Sequence, residues 1–354
     1  MPTTFEALAQ FNQPHLDRVS RSFAHGIRQL SPSLRAPVGL SYLICRLLDT
    51  VEDASWDDGS QQGEAFAKFD SFISAEPTEA AVRAWTAMFP LDLTVGERTL
   101  LEDAPRIFRE FHALPAEDKN VIAGPVLSMS RGMNHFMERK RKTGALKLTT
   151  LTEVQSYCFF VAGVVGEVLT GLLKLRSPEA AKRIGGELSL MKAGRFGLFL
   201  QKVNILKDQR VDESERRFLV PSRRRLLKSL MNDAREAMAY LEAVPLADAR
   251  YRVFCAWALM LGLASIPAIE RGFVAGSVGK LPRVEAMWLA HKIESRIGDV
   301  SALRGLFEEL YSRAFQPEPA VTDTESVEAP APEILAMYRG QMTREELARL
   351  LASV

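Results

Sequence analysis

The stretch that decides the reading is Ser41–Asp53, Ser-Tyr-Leu-Ile-Cys-Arg-Leu-Leu-Asp-Thr-Val-Glu-Asp. An apolar run stops in three acids, Asp49, Glu52 and Asp53. Tyr42, Arg46, Asp49 and Asp53 fall at i, i+4, i+7 and i+11, one stripe of an α-helix, while Leu43, Leu47, Leu48 and Val51 take the other faces. A helix this apolar is expected to be buried, so its carboxylates face inward or into a cleft. Two carboxylates one turn apart repel by roughly a few tenths of a kcal/mol when exposed. The repulsion grows when they are desolvated. A divalent cation turns that repulsion into binding, and magnesium in particular takes one or two carboxylates, several waters and the oxygens of a substrate phosphate. The plainer alternative is a solvated acidic helix end.

A second stretch, Gln201–Asp212, repeats the pattern: Gln201, Asn204, Asp208 and Asp212 share one stripe. Two helices that each present oxygen ligands suit a magnesium cluster holding a diphosphate, with Arg46 and Lys207 beside the acids to grip phosphate oxygens. The charged segment Glu213–Arg225 follows directly. It reads as solvated surface for the most part, with Arg217 reaching in.

Around these stretches the chain reads as all-α. Apolar residues recur at three and four, and helix starts are expected at Ser31-Pro32, Pro77-Thr78, Pro115-Ala116, Thr150-Leu151 and Ser177-Pro178. Thr94–Leu114 and Asp118–Arg141 read as long amphipathic helices, and Arg139–Lys142 with Lys147 as a basic helix end and turn. Gly163 and Gly166 sit inside an apolar helical pattern, which points to close approach of another helix or of a ligand. Residues 1–315 are expected to form one domain, 316–333 a Pro/Ala/Glu-rich flexible linker, and 334–354 a small helical tail of surface helices.

The 354 residues carry a net charge of +1 and no basic tract with interleaved aromatics, so nucleic acid is not an expected partner. Cys45, Cys158 and Cys255 have neither metal-site nor disulfide spacing and read as core thiols of a reducing compartment. Met1–Gln10 has no secretory pattern. The longest apolar run, Val253–Ile269, is shorter than the ~20 residues of a bilayer span. A cytoplasmic monomer is expected, with room for peripheral membrane contact.

With these residues in hand, the chain resembles the squalene/phytoene synthase family of head-to-head prenyl transferases, from about Leu16 to Ser312. Ser20-Arg21-Ser22-Phe23 is similar to the family's N-terminal substrate motif. Arg46–Asp53 is similar to its first aspartate-rich motif, Tyr157–Gly166 to its central block, and Gly197–Asp212 to its second aspartate-rich motif. The Gly197–Lys202 wording leans towards squalene synthases. Val165–Thr170 is closer to dehydrosqualene synthases.

The resemblance implies an isoprenoid-synthase fold around a central apolar tunnel. It implies magnesium held by Asp49, Glu52, Asp53, Asn204, Asp208 and Asp212, and farnesyl diphosphate contacted by Arg21, Ser22, Tyr42, Arg46, Gln201 and Lys207. It implies a proton-transfer role for Tyr157. Phe159, Phe160, Val161 and Val164 are expected to wall the tunnel. The implied chemistry is condensation of two farnesyl diphosphates to presqualene diphosphate, followed by reduction by NADPH to squalene. The alternatives are a dehydrosqualene or phytoene synthase without the reductive step, and a terpene cyclase on a similar fold. No Gly-x-Gly-x-x-Gly follows a strand. Lys280 and Arg283 are the candidates for the NADPH phosphates, against the commoner reading of a solvated loop. Val211 stands where the second motif often has an acid.

Overall fold

The structure, a computed structural model, describes residues 4–184, 186–316 and 328–352, without the side chains of Thr4, Arg21, Ser22, Glu187 and Leu188. The expected linker therefore lies mostly outside the described residues. The described residues are all-α, as expected, with one two-residue parallel strand pair among them, Leu146–Lys147 against Arg217–Phe218.

The expected helix starts form for the expected reasons. Thr78, Thr150 and Ser177 each accept the backbone N–H three residues on, and Pro32 stands in the first turn of its helix, where its missing N–H costs no hydrogen bond. Thr94–Leu114 departs from expectation. It forms two helices, Val95–Glu102 and Ala104–His112, because Pro105 in the first turn of the second cannot continue the first.

The first acidic helix, Pro32–Asp53, buries Leu43, Ile44, Leu47, Leu48 and Val51 completely. At about 1.5–3 kcal/mol for each such side chain, this burial fixes the rotation of the helix and hence the direction of its acids. The second acidic helix, Glu187–Ser214, is the hub. It packs on Val164–Lys174, Arg223–Ala243, Ala249–Ala275 and the C-terminal helix Arg344–Ala352.

Close approach at the hub needs glycine. A Cβ on Gly166 would lie 2.1 Å from the Ala193 carbonyl oxygen, and one on Gly197 2.4 Å from that of Ala162. Of the two readings of the glycines in this block, close helix packing is therefore the one that accounts for Gly166. The turn opposite, Phe159–Gly163, is π-helical, an irregularity that helices often carry at functional sites.

Leu151–Lys174 and Leu246–Ala275 are long and apolar enough to cross a membrane by length and composition, and most of each is packed inside the protein. The tail helices Pro332–Met337 and Arg344–Ala352 are docked rather than superficial. Leu347, Leu350 and Leu351 are buried, and the buried Glu167 accepts hydrogen bonds from the Tyr338 hydroxyl and the Gln341 N–H.

Candidate active site

A cavity of about 310 Å³ lies between the two acidic helices. The first contributes Val38, Ser41, Tyr42, Cys45 and Asp49; the second contributes Ala193, Phe196, Gly197, Leu200, Gln201 and Asn204. Both sets advance by three and four, so each is a single helical stripe whose last member is polar. The floor is apolar: Val161, Val165, Val168 and Leu169 from Leu151–Lys174, Phe254 and Ala258 from Ala249–Ala275. Of the four residues expected to wall the tunnel, Val161 does so. Phe159, Phe160 and Val164 are buried among other helices, Phe160 against Gly132 and Phe159 against Tyr338, because they lie on the opposite face of the helix.

One turn beyond Asp49 and two turns beyond Asn204 the two stripes meet at Arg217. Its Nη1 donates to Asp53 Oδ1 (2.9 Å) and its Nη2 to the Tyr157 hydroxyl (2.6 Å). Glu52 and Asp212 each have a carboxylate oxygen 3.7 Å from the same guanidinium. Tyr157 in turn donates to Glu52 Oε1 (3.2 Å), so Arg217, Tyr157 and Glu52 form a directed chain.

The strand pair is what delivers Arg217. Leu146 N–H donates to the Arg216 carbonyl and Leu148 N–H to that of Phe218, and Arg216 adopts φ +60° to turn the chain out of the second acidic helix. Alternation along the strand then sends Arg217 inward and leaves Phe218 exposed.

This crowding sets the protonation of the site. Burial pushes the Asp49 carboxyl up to about 6, with Arg46 opposing and Asp53 adding. Burial pushes Glu52 up to about 7 against the pull of Arg217, and Asp212 up to about 6 against the same guanidinium. Burial and the neighbouring Glu52 hold the Tyr157 hydroxyl well above its ordinary value.

The donors are the hard oxygens magnesium takes, and burial holds three of the carboxyls above the usual carboxylate range. Among the described residues no three Asp, Glu, His or Cys side chains already surround one point. Arg217 is the cation that bridges the two sides, and its Nε is buried without an acceptor. Magnesium normally keeps waters and shares its shell with phosphate oxygens, so a cage completed only by substrate fits this donor set.

The remaining candidates fall as follows. Tyr42 and Gln201 line the cavity. Arg46 does not point at free space: it donates to Glu97 Oε1 (2.7 Å) and lies 3.5 Å from Asp49. Lys207 lies 3.0 Å from Asp208. Arg21 and Ser22 have side chains outside the described residues, whereas their neighbour Phe23 lines the cavity and meets the Tyr42 ring at 5.9 Å. Lys280 and Arg283 are exposed and do not line the cavity. They form no phosphate cradle with it.

Sequence reasoning passed over two groups and read a third, Lys140, only as part of a basic helix end. Glu97 holds Arg46 while completing a capping box with Thr94, whose Thr-x-x-Glu spacing is a legible signal for the cap but not for the partner. Lys140 lies near Glu52, Asp53 and Arg217, and burial with Arg217 lowers its pKa. Lys202, wholly buried, donates to Asp233 (2.5 Å), Gln155 (2.6 Å) and Ser229 (2.6 Å), with Arg195 on the other Asp233 oxygen (3.0 Å). That network ties the second acidic helix to the helix carrying Tyr157.

An all-α bundle with two acid-tipped stripes over an apolar cavity is the architecture of isoprenoid synthases. The squalene/phytoene synthase family model matches residues 16–224, and the chain belongs to that family. The chain is 33% identical over 207 residues to the squalene synthase of Eremothecium gossypii (58% of this chain, 44% of that protein). It is 34% identical over 208 residues to that of Mycosarcoma maydis (58% and 34%), and 33% identical over 199 residues to that of Homo sapiens (56% and 43%). These matches span less than half the length of those relatives. The fold is shared with the solved structure of TcSQS with the ligand BPH1237 (TM-score 0.70, 22% identity, 98% of both chains). It is shared also with a dehydrosqualene synthase in complex with a ligand (TM-score 0.55, 16% identity, 83% of this chain and 97% of that one).

Proposed function

We propose that the protein is a squalene synthase, joining two farnesyl diphosphates head to head into presqualene diphosphate and then reducing this to squalene with NADPH. The observation that carries the reading is the meeting of Asp53, Glu52, Asp212 and Tyr157 around Arg217 at the polar end of an apolar cavity. We take residues 1–315 as the synthase domain, 316–333 as a connection and 334–354 as a tail docked on it.

In this reading the farnesyl tails occupy the cavity, away from water that would quench an allylic cation. Asp49, Glu52, Asp53, Asn204, Asp208 and Asp212 would hold magnesium, which neutralises a diphosphate and improves it as a leaving group. Arg217, with Arg46 and Lys207, grips the departing diphosphate. Fixed cations aimed at developing negative charge are worth about 2.7–4 kcal/mol each by analogy with other preorganised donors. The double bond of the second farnesyl group attacks the first, and a proton must leave as the cyclopropane closes. In this reading Tyr157 carries it. A proton accepted at Tyr157 Oη releases the one it already shares with Glu52, whose carboxyl sits near neutrality. The reductive half rests on the likeness to squalene synthases. Lys280 and Arg283 are its candidate phosphate contacts, and their exposed positions lend that step no geometry.

Product analysis tests the proposal. With farnesyl diphosphate and magnesium, squalene should form only when NADPH is present. One unchanged polyene with and without NADPH would make the protein a dehydrosqualene synthase, and a product with the carbon count of a single substrate would make it a cyclase.

A further inference from the structure

The helix Arg283–Glu294 is apolar on its outer face as well as on its inner one. Leu289 and Ile293 face the protein, as an amphipathic helix requires. Its outward stripe at i, i+3 and i+4 is nevertheless apolar: Val284 is 80% exposed, Met287 65% and Trp288 54%. The adjoining end of Ala249–Ala275 and the loop after it add Val274 (87%) and Val278 (50%). The loop is held against that helix, since a Cβ on Gly279 would lie 1.8 Å from the Ala268 carbonyl oxygen and one on Gly272 2.4 Å from Gly279 N. The patch is therefore presented on rigid backbone.

Charge around the patch is mainly basic, although the helix also carries Glu285 and ends in Glu294. Between residues 271 and 292 the bases are Arg271, Lys280, Arg283 and Lys292, and the one acid, Glu285, lies 3.5 Å from Arg313. Lys292 holds its ammonium 3.9 Å over the Trp288 ring, at the boundary between apolar face and basic rim. An apolar stripe with an aromatic, flanked by Lys and Arg, is the pattern of a helix lying in a lipid interface. We infer that the outward face of Arg283–Glu294, with Val274 and Val278, docks the protein on an anionic lipid bilayer. The apolar side chains enter the boundary of the acyl chains and the bases meet the headgroups. This inference does not depend on the reaction assigned above, and its test leaves that assignment untouched.

The test is co-sedimentation of the full chain with vesicles of phosphatidylcholine and phosphatidylglycerol, against vesicles of phosphatidylcholine alone. The mixed vesicles should bind the protein more strongly, and salt should weaken that preference. The variant V284S/M287S/W288S should lower the bound fraction roughly tenfold or more. R271E/K292E should remove the preference for anionic vesicles, about fivefold per charge. Leu91→Ser with Val95→Ser, exposed apolar side chains elsewhere in the chain, should change nothing. If the triple variant does not fold, fluorescence decides: a blue shift on adding mixed vesicles should be present in the wild type and absent in Trp288→Phe. Three outcomes overturn the proposal: no sedimentation with either vesicle, undiminished binding of the folded triple variant, or a dimer in lipid-free buffer that the triple variant abolishes. The last would give the face to a second copy of the chain.

Discussion

The two acidic helices carry the same kind of pattern and are held in place by opposite means. Pro32–Asp53 is locked by hydrocarbon: Leu43, Ile44, Leu47, Leu48 and Val51 are all buried, and its acids follow from that rotation. Glu187–Ser214 has glycines where it meets its neighbours, and its register against the Tyr157 helix is pinned by a buried charge, Lys202 on Asp233 and Gln155. Apolar burial tolerates small adjustments, because many weak contacts share the load. A buried ammonium with three partners permits one arrangement, because an unpaired charge there costs several kcal/mol. The helix that carries Gln201, Asn204 and Asp208 is thus the more sharply specified of the two.

Replacement of Lys202 should break this contrast most severely. Lys202→Met leaves Asp233 with Arg195 alone and should lower the unfolding free energy by about 3–5 kcal/mol, measured by urea titration. Adding Asp233→Leu should recover part of that loss, and a double variant no more stable than the single one would remove the special status of the pair. On the first helix, Leu47→Ala should cost about 2–5 kcal/mol, with no rescue available from any partner's change.

Tyr157→Phe moves the comparison from stability to chemistry. It removes the hydroxyl between Arg217 and Glu52 and should lower turnover roughly a hundredfold while the thermal midpoint moves little. A variant with normal turnover would take Tyr157 out of the proton path.

Protonation gives the smallest and broadest effect. Asp49, Glu52 and Asp212 sit at about 6, 7 and 6 in the folded chain, against ordinary values of 3.8, 4.5 and 3.8. Between those limits the folded chain holds protons that the unfolded chain has released. Stability of the metal-free protein should therefore fall as pH rises from about 4 to about 7. Magnesium with pyrophosphate should offset that fall, raising the thermal midpoint most above pH 7. Asp208→Asn should blunt the rise. A ligand-induced shift of equal size at pH 5 and pH 8 would show that these carboxyls do not bind the cation.

Much of the fold was legible because it is local. Capping residues, Pro32 and the recurrence of Leu at three and four are properties of single helices, and so are the stripes that end in Asp49 and Asn204. Thr94–Leu114 was misread as one helix because its apolar period runs straight through Asp103, and Pro105 was not weighed as a break. Phe159 and Phe160 were placed on the tunnel wall because an apolar residue in a wholly apolar helix does not announce which neighbour it faces.

By itself, then, the amino-acid order determined an all-helical chain with two acid-tipped stripes, since each is written in the spacing along one segment. Tertiary structure alone decided that a two-residue strand pair turns Arg217 between the stripes, that Glu97 takes Arg46, that Lys202 finds Asp233, and that Arg283–Glu294 shows its apolar stripe to the outside. Each of these depends on which surfaces of distant segments meet, and a charge or an apolar face carries no mark of its partner until the chain has closed around it.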